Sequence, residues 1–589
     1  MAMNMGVKMV YKSVAIRYSD SINSLSIHTH THTTNSHKIT MTVIERKSDD
    51  SLQEKGVPYA TQDECILADI GYKEELKRHF SVVQVFGIAF SIMGLLPSIS
   101  SVIGYSLTAG PVGMVWGWCI ASACIMVVGL AMAELGSSLP TSGGLYWWTY
   151  HFAPENAKRP LSFLCGYSNS LGLIGGLVSI DYGFSLMLLS VVSLATDGEF
   201  EPSKYTVYGV FAGAVLTHGL AGILTTKLIS KIQTACIVLN IGIIVLVVIA
   251  LPVGARDHLN DGKFIFTQIE NISEWPTGWN FFLSWLAPIW TIGAFDSCVH
   301  MAEEASNASR AVPIGIISSI GMCWILGVIV NIICAAVINP DVEAIINTPL
   351  GQPMAQIIYD CLGKKWTMAI MSIIFCLQWT MGLSILVAGS RQNWAFARDG
   401  ALPFSDWLKV VHKETGVPRR TVIMGTFVGL AIGCICMIDD KAAYALFSLP
   451  PVSNDLAWLL PIFLKLVFGA SKFVPGPFYL GKVLSKIIGI AASGYLVFAI
   501  ILLMFPTATP HVTTDTMNYV VVLNVGVWIG ALAYYFLYAR RWYTGPRSNL
   551  EDDPRVLDAV RVVNQELAKE ESEKANEKQV EEHVERVVI

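Results

Sequence analysis

Three carboxylates stand where a carboxylate is costly. Asp181, Asp296 and Asp455 each lie inside a long apolar stretch of the chain. A charged side chain at bilayer depth costs roughly 3 kcal/mol on insertion scales, so such residues mark substrate, ion or proton paths by default. A buried carboxylate can neutralise a cationic ligand, carry a proton, or fix helix packing with a hydrogen bond. All three roles stay open for Asp181 and Asp455. Asp296 is favoured for function because it sits in an interrupted helix, Trp290-Thr-Ile-Gly293-Ala-Phe295-Asp296-Ser297. A second interruption runs through Gly94, Leu95, Leu96, Pro97, Ser98 and Ile99. Pro97 has no amide hydrogen and disfavours helix at Leu96, which predicts free amides near Ser98 and Ile99. Irregular backbone at membrane depth is tolerated only where it is buried in protein or lines a cavity. The N-terminal end of a half-helix suits a carboxylate, and unwound carbonyls suit an ammonium group. The expected ligand is therefore a small zwitterionic or cationic amine, held by those six residues together with Trp290, Gly293, Phe295 and Asp296. Trp290, Phe295 and Trp458 are of a type to stack on a cationic head, although an aromatic in a membrane helix is more often simply packed.

The elements that must position these residues are membrane helices. Of 589 residues, 53% are apolar and only 14% charged, against roughly a quarter charged in soluble domains. Apolar stretches of span length recur near 83–106, 111–135, 160–193, 205–224, 232–253, 282–302, 313–338, 366–390, 420–438, 442–467, 484–505 and 517–539. The two interruptions fall in the first and sixth. Paired broken helices at matching positions of two five-helix halves point to an inverted-repeat transporter with a midplane site. The expectation is an all-α integral membrane protein of twelve transmembrane helices, a 5+5 inverted repeat with helices 1 and 6 broken.

Charge sets the orientation. With the N-terminus inside, inner segments carry 21 Lys and Arg against 6 outside, so both termini are expected in the cytosol. Three regions follow: a disordered cytosolic tail over 1–80, the transporter domain over 81–540, and a charged cytosolic tail over 541–589. His28, His30, His32 and His37 are read as part of an unstructured tract rather than a metal site.

Other chemistries are excluded by what is missing. No CxxC, HExxH or GxSxG motif occurs, and Val483 stands where a phosphate-binding loop needs Ser or Thr after Lys482. No metal, no cofactor and no enzymatic activity are expected. The formal charge of −5 provides no basic stripe for nucleic acid. Gly425, Gly429 and Gly433 recur at four-residue spacing, a surface for close helix approach within the monomer.

Three motifs resemble one superfamily. Phe295-Asp296-Ser-Cys-Val-His300-Met-Ala302-Glu303-Glu304, running on to Pro313, resembles the sixth-span motif of amino acid–polyamine–organocation transporters. Glu134-Leu-Gly-Ser-Ser-Leu-Pro140-Thr-Ser-Gly143-Gly144 resembles the loop after span 2, and Ser390-Arg391-Gln-Asn-Trp-Ala-Phe-Ala-Arg398-Asp399-Gly400 the loop after span 8. Gly71–Arg78, Phe86–Ser98 and Ser179–Gly183 are most similar to fungal 4-aminobutyrate (GABA) permeases of the amino acid/choline transporter group. The resemblance implies a leucine-transporter-like fold in a plasma or vacuolar membrane. It implies a secondary transporter, by proton symport, of GABA or a similar small amine. Choline or polyamine transport and a non-transporting nutrient sensor are the alternatives. Glu134, Glu303, Glu304 and Arg391 are implied gate or loop residues, with the acids either closing an inner gate or facing water. Asp296, Asp181 and Asp455 are the coupling candidates. Some bacterial relatives carry a lysine in span 5; Asn240 occupies that position here, so a lysine mechanism does not transfer. The Pro450-Pro451-Val-Ser-Asn454-Asp455 run is richer in proline and acid than a GABA permease leads one to expect.

Overall fold

The computed structural model describes residues 78–224, 226–438, 440–513 and 516–548, with residues 29, 30, 41, 42, 63, 67, 70, 72 and 74–76 beside them. His28, His32, His37, the side chain of His30 and the charged tail beyond residue 548 lie outside the described residues. Thr29–His30 and Met41–Thr42 pair as two-residue antiparallel strands, a local exception to the tail expected to lack regular structure. Residues 74–547 form one compact helical unit.

The principal helices, in chain order, are α1 (Val82–Met93), α2 (Leu95–Leu107), α3 (Trp118–Ser138), α4 (Gly144–Phe152), α5 (Lys158–Ala195), α6 (Lys204–Gly222), α7 (Thr226–Gly254), α8 (Leu286–Thr291), α9 (Ser297–His300), α10 (Ala308–Val337), α11 (Pro353–Arg398), α12 (Arg419–Gly433), α13 (Asp440–Val467), α14 (Lys482–Met504) and α15 (Val520–Leu537). The apolar stretches of the sequence are mostly helical, the sixth only in separate pieces. Among the described residues, nine helices are long and apolar enough to cross a membrane. On α7, Val238, Leu239, Val245, Ile249 and Val253 are exposed, an apolar face of the kind that a bilayer covers.

The first interruption falls one turn earlier than the proline suggests. Helix α1 begins in a capping box in which the Ser81 amide donates to Gln84 Oε1 at 2.9 Å. It ends at Gly94, whose φ of 38° and ψ of 66° are left-handed, a conformation that glycine enters without steric penalty. Pro97 then occupies the first turn of α2, where a missing amide hydrogen costs little. The amide expected to be free at Ser98 instead donates to the Gly94 carbonyl at 2.8 Å, and the Ser98 hydroxyl donates to the Met93 carbonyl at 2.5 Å. Leu95 and Leu96 are the amides that have no preceding turn of α2 to bond. In the sixth stretch, α8 stops at Thr291 and α9 starts at Ser297. Between them, Ala294 holds a left-handed φ of 57°, uncommon for a residue with a Cβ.

Helix α5 is the central post, packed against α11 and α13. Helix α11 bends at Gly363, whereas α13 carries Pro450, Pro451 and Pro461 without losing its helical course. The glycine row on α12 meets the same chain: Gly425 faces Leu386, Gly429 faces Leu177, and Gly433 faces Phe211. The row therefore serves packing within the monomer.

Candidate functional site

A small cavity lies between the two helix interruptions. Ile92 and Ser98 approach it from the α1–α2 break, and Trp290, Thr291, Gly293 and Ala294 from the α8–α9 break. The rest of the wall comes from α5 (Gly172, Gly176, Ser179), α11 (Met381, Ile385) and α13 (Pro450, Pro451, Asn454). The lining is largely apolar with a few directed polar atoms, the usual make-up of a small-molecule site. Trp290 Nε1 donates to Ser179 Oγ at 3.0 Å, and its ring meets Phe447 edge-on at 5.3 Å. These two contacts fix the indole as a wall. Thr291 Oγ1 is buried and has no hydrogen-bond partner among the described residues.

Only some of the expected residues reach this space. Ser98, Trp290 and Gly293 line it. Gly94 stands behind the wall, where an added Cβ would collide with the Met381 side chain. Leu95, Leu96, Pro97 and Ile99 are buried in packing and are not among the lining residues. Phe295 packs on Trp458 with ring centres 4.3 Å apart, and neither is among the lining residues. Asp296 is fully buried one layer away. Its Oδ2 accepts from Asn169 Nδ2 at 2.8 Å, and the same Asn169 nitrogen reaches Asn454 Oδ1 at 3.3 Å. One side-chain amide thus connects the carboxylate to the cavity wall.

The three aspartates are not brought together. Asp181 Oδ2 accepts from His218 Nδ1 at 3.1 Å, with both side chains fully buried between α5 and α6. Trp379 flanks that histidine at 4.9 Å. Asp455 on α13 and Tyr495 on α14 each have a buried oxygen without a hydrogen-bond partner among the described residues. Asn240 turns back on its own helix, donating to the Cys236 carbonyl at 2.9 Å.

The glutamates do not face water. Glu134 pairs with Lys465 and accepts from Ser485 Oγ at 2.7 Å. Glu303 takes two bonds from Arg398, at 2.9 and 3.1 Å, and a third from the Ser142 amide at 3.1 Å. Glu304 accepts from Arg391 Nε at 2.7 Å, while its own carbonyl receives the amides of His79 and Phe80. All three acids are buried. Their partners stand 87 to 331 positions away in sequence, so one ion pair ties α3 to α13 and two tie the 3-10 turn Ala302–Glu304, just after α9, to α11. Truncating one partner of such a buried pair leaves an uncompensated charge.

Sequence reasoning missed Asn169, Ser179, His218, His300, Met381 and Asn454. His300 carried a usable signal, since it lies four residues after Asp296, the spacing that brings side chains together on a helix. Asn454 sat in a run noted only as a departure. Asn169, His218 and Met381 have no local mark that separates them from ordinary helix contents.

Comparison with known proteins shows the family. Residues 80–527 match the amino acid permease family. A GABA-specific permease of Saccharomyces cerevisiae is 49% identical over 84% of this chain and 87% of its own. An uncharacterized amino-acid permease of Schizosaccharomyces pombe is 34% identical over 83% of this chain and 91% of its own. Amino-acid permease 2 of Neurospora crassa is 30% identical over 84% and 90%. These relatives are permeases, not enzymes, and the chain belongs to the amino acid permease family.

Proposed function

We propose that this chain is a secondary active transporter of GABA or a similar small amine, driven by proton symport across a fungal plasma or vacuolar membrane. In this reading twelve spans form a leucine-transporter-like inverted repeat over residues 81–540, with both tails in the cytosol. The observation that carries it is the cavity bounded by both helix interruptions. The positive N-terminal end of α2 faces the substrate carboxylate at Ser98, the one residue of its first turn that lines the cavity, since a helix N-terminus favours negative charge. The last carbonyls of α8 and the Trp290 face meet the ammonium group. Asp296 acts on that charge through Asn169 and Asn454 rather than by contact. The ion pairs of Glu134, Glu303 and Glu304 close the cytosolic side and must part for release. The name of the yeast relative supports GABA among the amines.

Uptake of labelled GABA into cells that lack their own GABA uptake tests the reading. Saturable uptake that unlabelled GABA suppresses fully, and choline, putrescine and common amino acids suppress less, is the expected result. Stronger competition by choline or putrescine moves the substrate to those amines. Binding of GABA without uptake makes the chain a sensor.

A further inference from the structure

His300 is a buried, ionisable group that the transport reading above leaves unused. Its Nδ1 lies 3.1 Å from the Ser142 carbonyl oxygen. A carbonyl only accepts, so Nδ1 carries a hydrogen. The other ring nitrogen, Nε2, then faces Asp296 Oδ2 at 3.4 Å, and both side chains are completely buried. Neither Nε2 nor Asp296 Oδ1 has a hydrogen-bond partner among the described residues. If Nε2 and the carboxylate both lacked a proton, two lone pairs would confront each other at 3.4 Å in a fully buried site. One further proton removes the conflict, either on Nε2 or on the carboxylate, and the pair is electrically neutral in both cases.

Among the described residues, Cys165 on α5 and Cys298 on α9 lie within the electrostatic reach of Asp296. Helices α1 and α10 meet Cys298 through Val85 and Gly315, which carry no charge. On α11, Arg391 and Arg398 are engaged by Glu304 and Glu303. The pair is linked both to the cavity wall and to the Glu303–Arg398 contact. Asn169 links Asp296 to Asn454 at the cavity, and Ser142, which orients His300, donates its amide to Glu303 beside Arg398.

We propose that Asp296 and His300 together form the binding site of the cotransported proton, and that the Ser142 carbonyl couples its release to the opening of the Glu303–Arg398 contact. The inference rests on the proton-symport reading. The proton enters from the cavity side when the pair is empty, and substrate in the cavity is sensed through Asn454 and Asn169. When Arg398 leaves Glu303, the loop holding Ser142 withdraws, His300 loses its carbonyl partner, and water reaches the pair. The proton then departs to the cytosol with the substrate.

The test uses the full chain in proteoliposomes with the membrane potential held at zero. An imposed gradient of one pH unit supports about tenfold accumulation of labelled GABA for one coupled proton. The parent reaches that ratio. His300→Gln falls to a ratio of about one, while GABA counterflow, which needs no proton gradient, persists at a reduced rate. The endpoint ratio does not depend on how much protein folds, so a merely structural defect leaves it unchanged. A His300→Gln protein that accumulates GABA to the parent's ratio overturns the proposal. A parent that does not accumulate GABA overturns proton symport itself. If His300→Gln shows no counterflow, Asp296→Asn is judged by the same ratio. Should neither exchange substrate, infrared difference spectra of the parent on GABA addition decide. A changing imidazole or protonated-carboxyl band supports the pair, and its absence overturns it.

Discussion

Gly94→Leu abolishes uptake while the protein still reaches its membrane. Two effects combine. The left-handed backbone at Gly94 costs a residue with a Cβ roughly 1–2 kcal/mol. The new side chain also enters the space of Met381, which walls the cavity. Relief comes only by swinging Met381 into the substrate volume or by closing the break between α1 and α2. Gly94→Ala meets the same obstacle with a single carbon and retains part of the uptake. Adding Met381→Ala to Gly94→Ala restores more of it, because the colliding atoms are gone and only the backbone strain remains. Uptake by Gly94→Leu with the parent's affinity for GABA would remove the break from the binding site.

Arg391→Met destabilises the protein by about 3–5 kcal/mol, the range for removing one partner of a buried ion pair. Arg391 is fully buried, and its Nε donates to Glu304 at 2.7 Å. Without it the Glu304 carboxylate is stranded among α9, α11 and the segment through Phe80, whose amide is bonded to the Glu304 carbonyl. The loss is read as a drop in the thermal midpoint of detergent-solubilised protein followed by size-exclusion chromatography. Combining Arg391→Met with Glu304→Gln recovers most of it, since no buried charge remains. A single variant as stable as the double would mean that Glu304 finds another partner or water, and the ion pair would not be the latch described.

Much of the helical architecture was legible because span length and apolarity are local properties of sequence. Both interruptions were also legible, since Gly94 with Pro97 and Gly293 with Asp296 break an apolar run by residue type alone. The detail at the first break was not. A proline in the sequence marks irregularity nearby, but Pro97 is at ease in the first turn of α2, and the backbone reverses its handedness at the glycine before it. The burial of Glu134, Glu303 and Glu304 was illegible for a different reason. An acid near the end of a span normally reaches water, and only the distant Lys465, Arg398 and Arg391 make burial possible. Similarly, Asp181 gives no hint of His218 in another helix. The cavity wall supplied by Met381 and Asn454 depends on how α11 and α13 lean on α5, which no local pattern encodes. Gly172 permits that lean, for a Cβ there would occupy the Asn454 side chain.

The central claim is that the space between the two broken helices holds the substrate. A cryo-electron microscopy structure of the full chain in lipid nanodiscs with saturating GABA tests it most directly. The account predicts density for one GABA molecule with its carboxylate at Ser98 and the first turn of α2 and its ammonium group beside Trp290 and the carbonyls that end α8. GABA bound elsewhere, with this cavity filled by side chains or left without ligand, would contradict it.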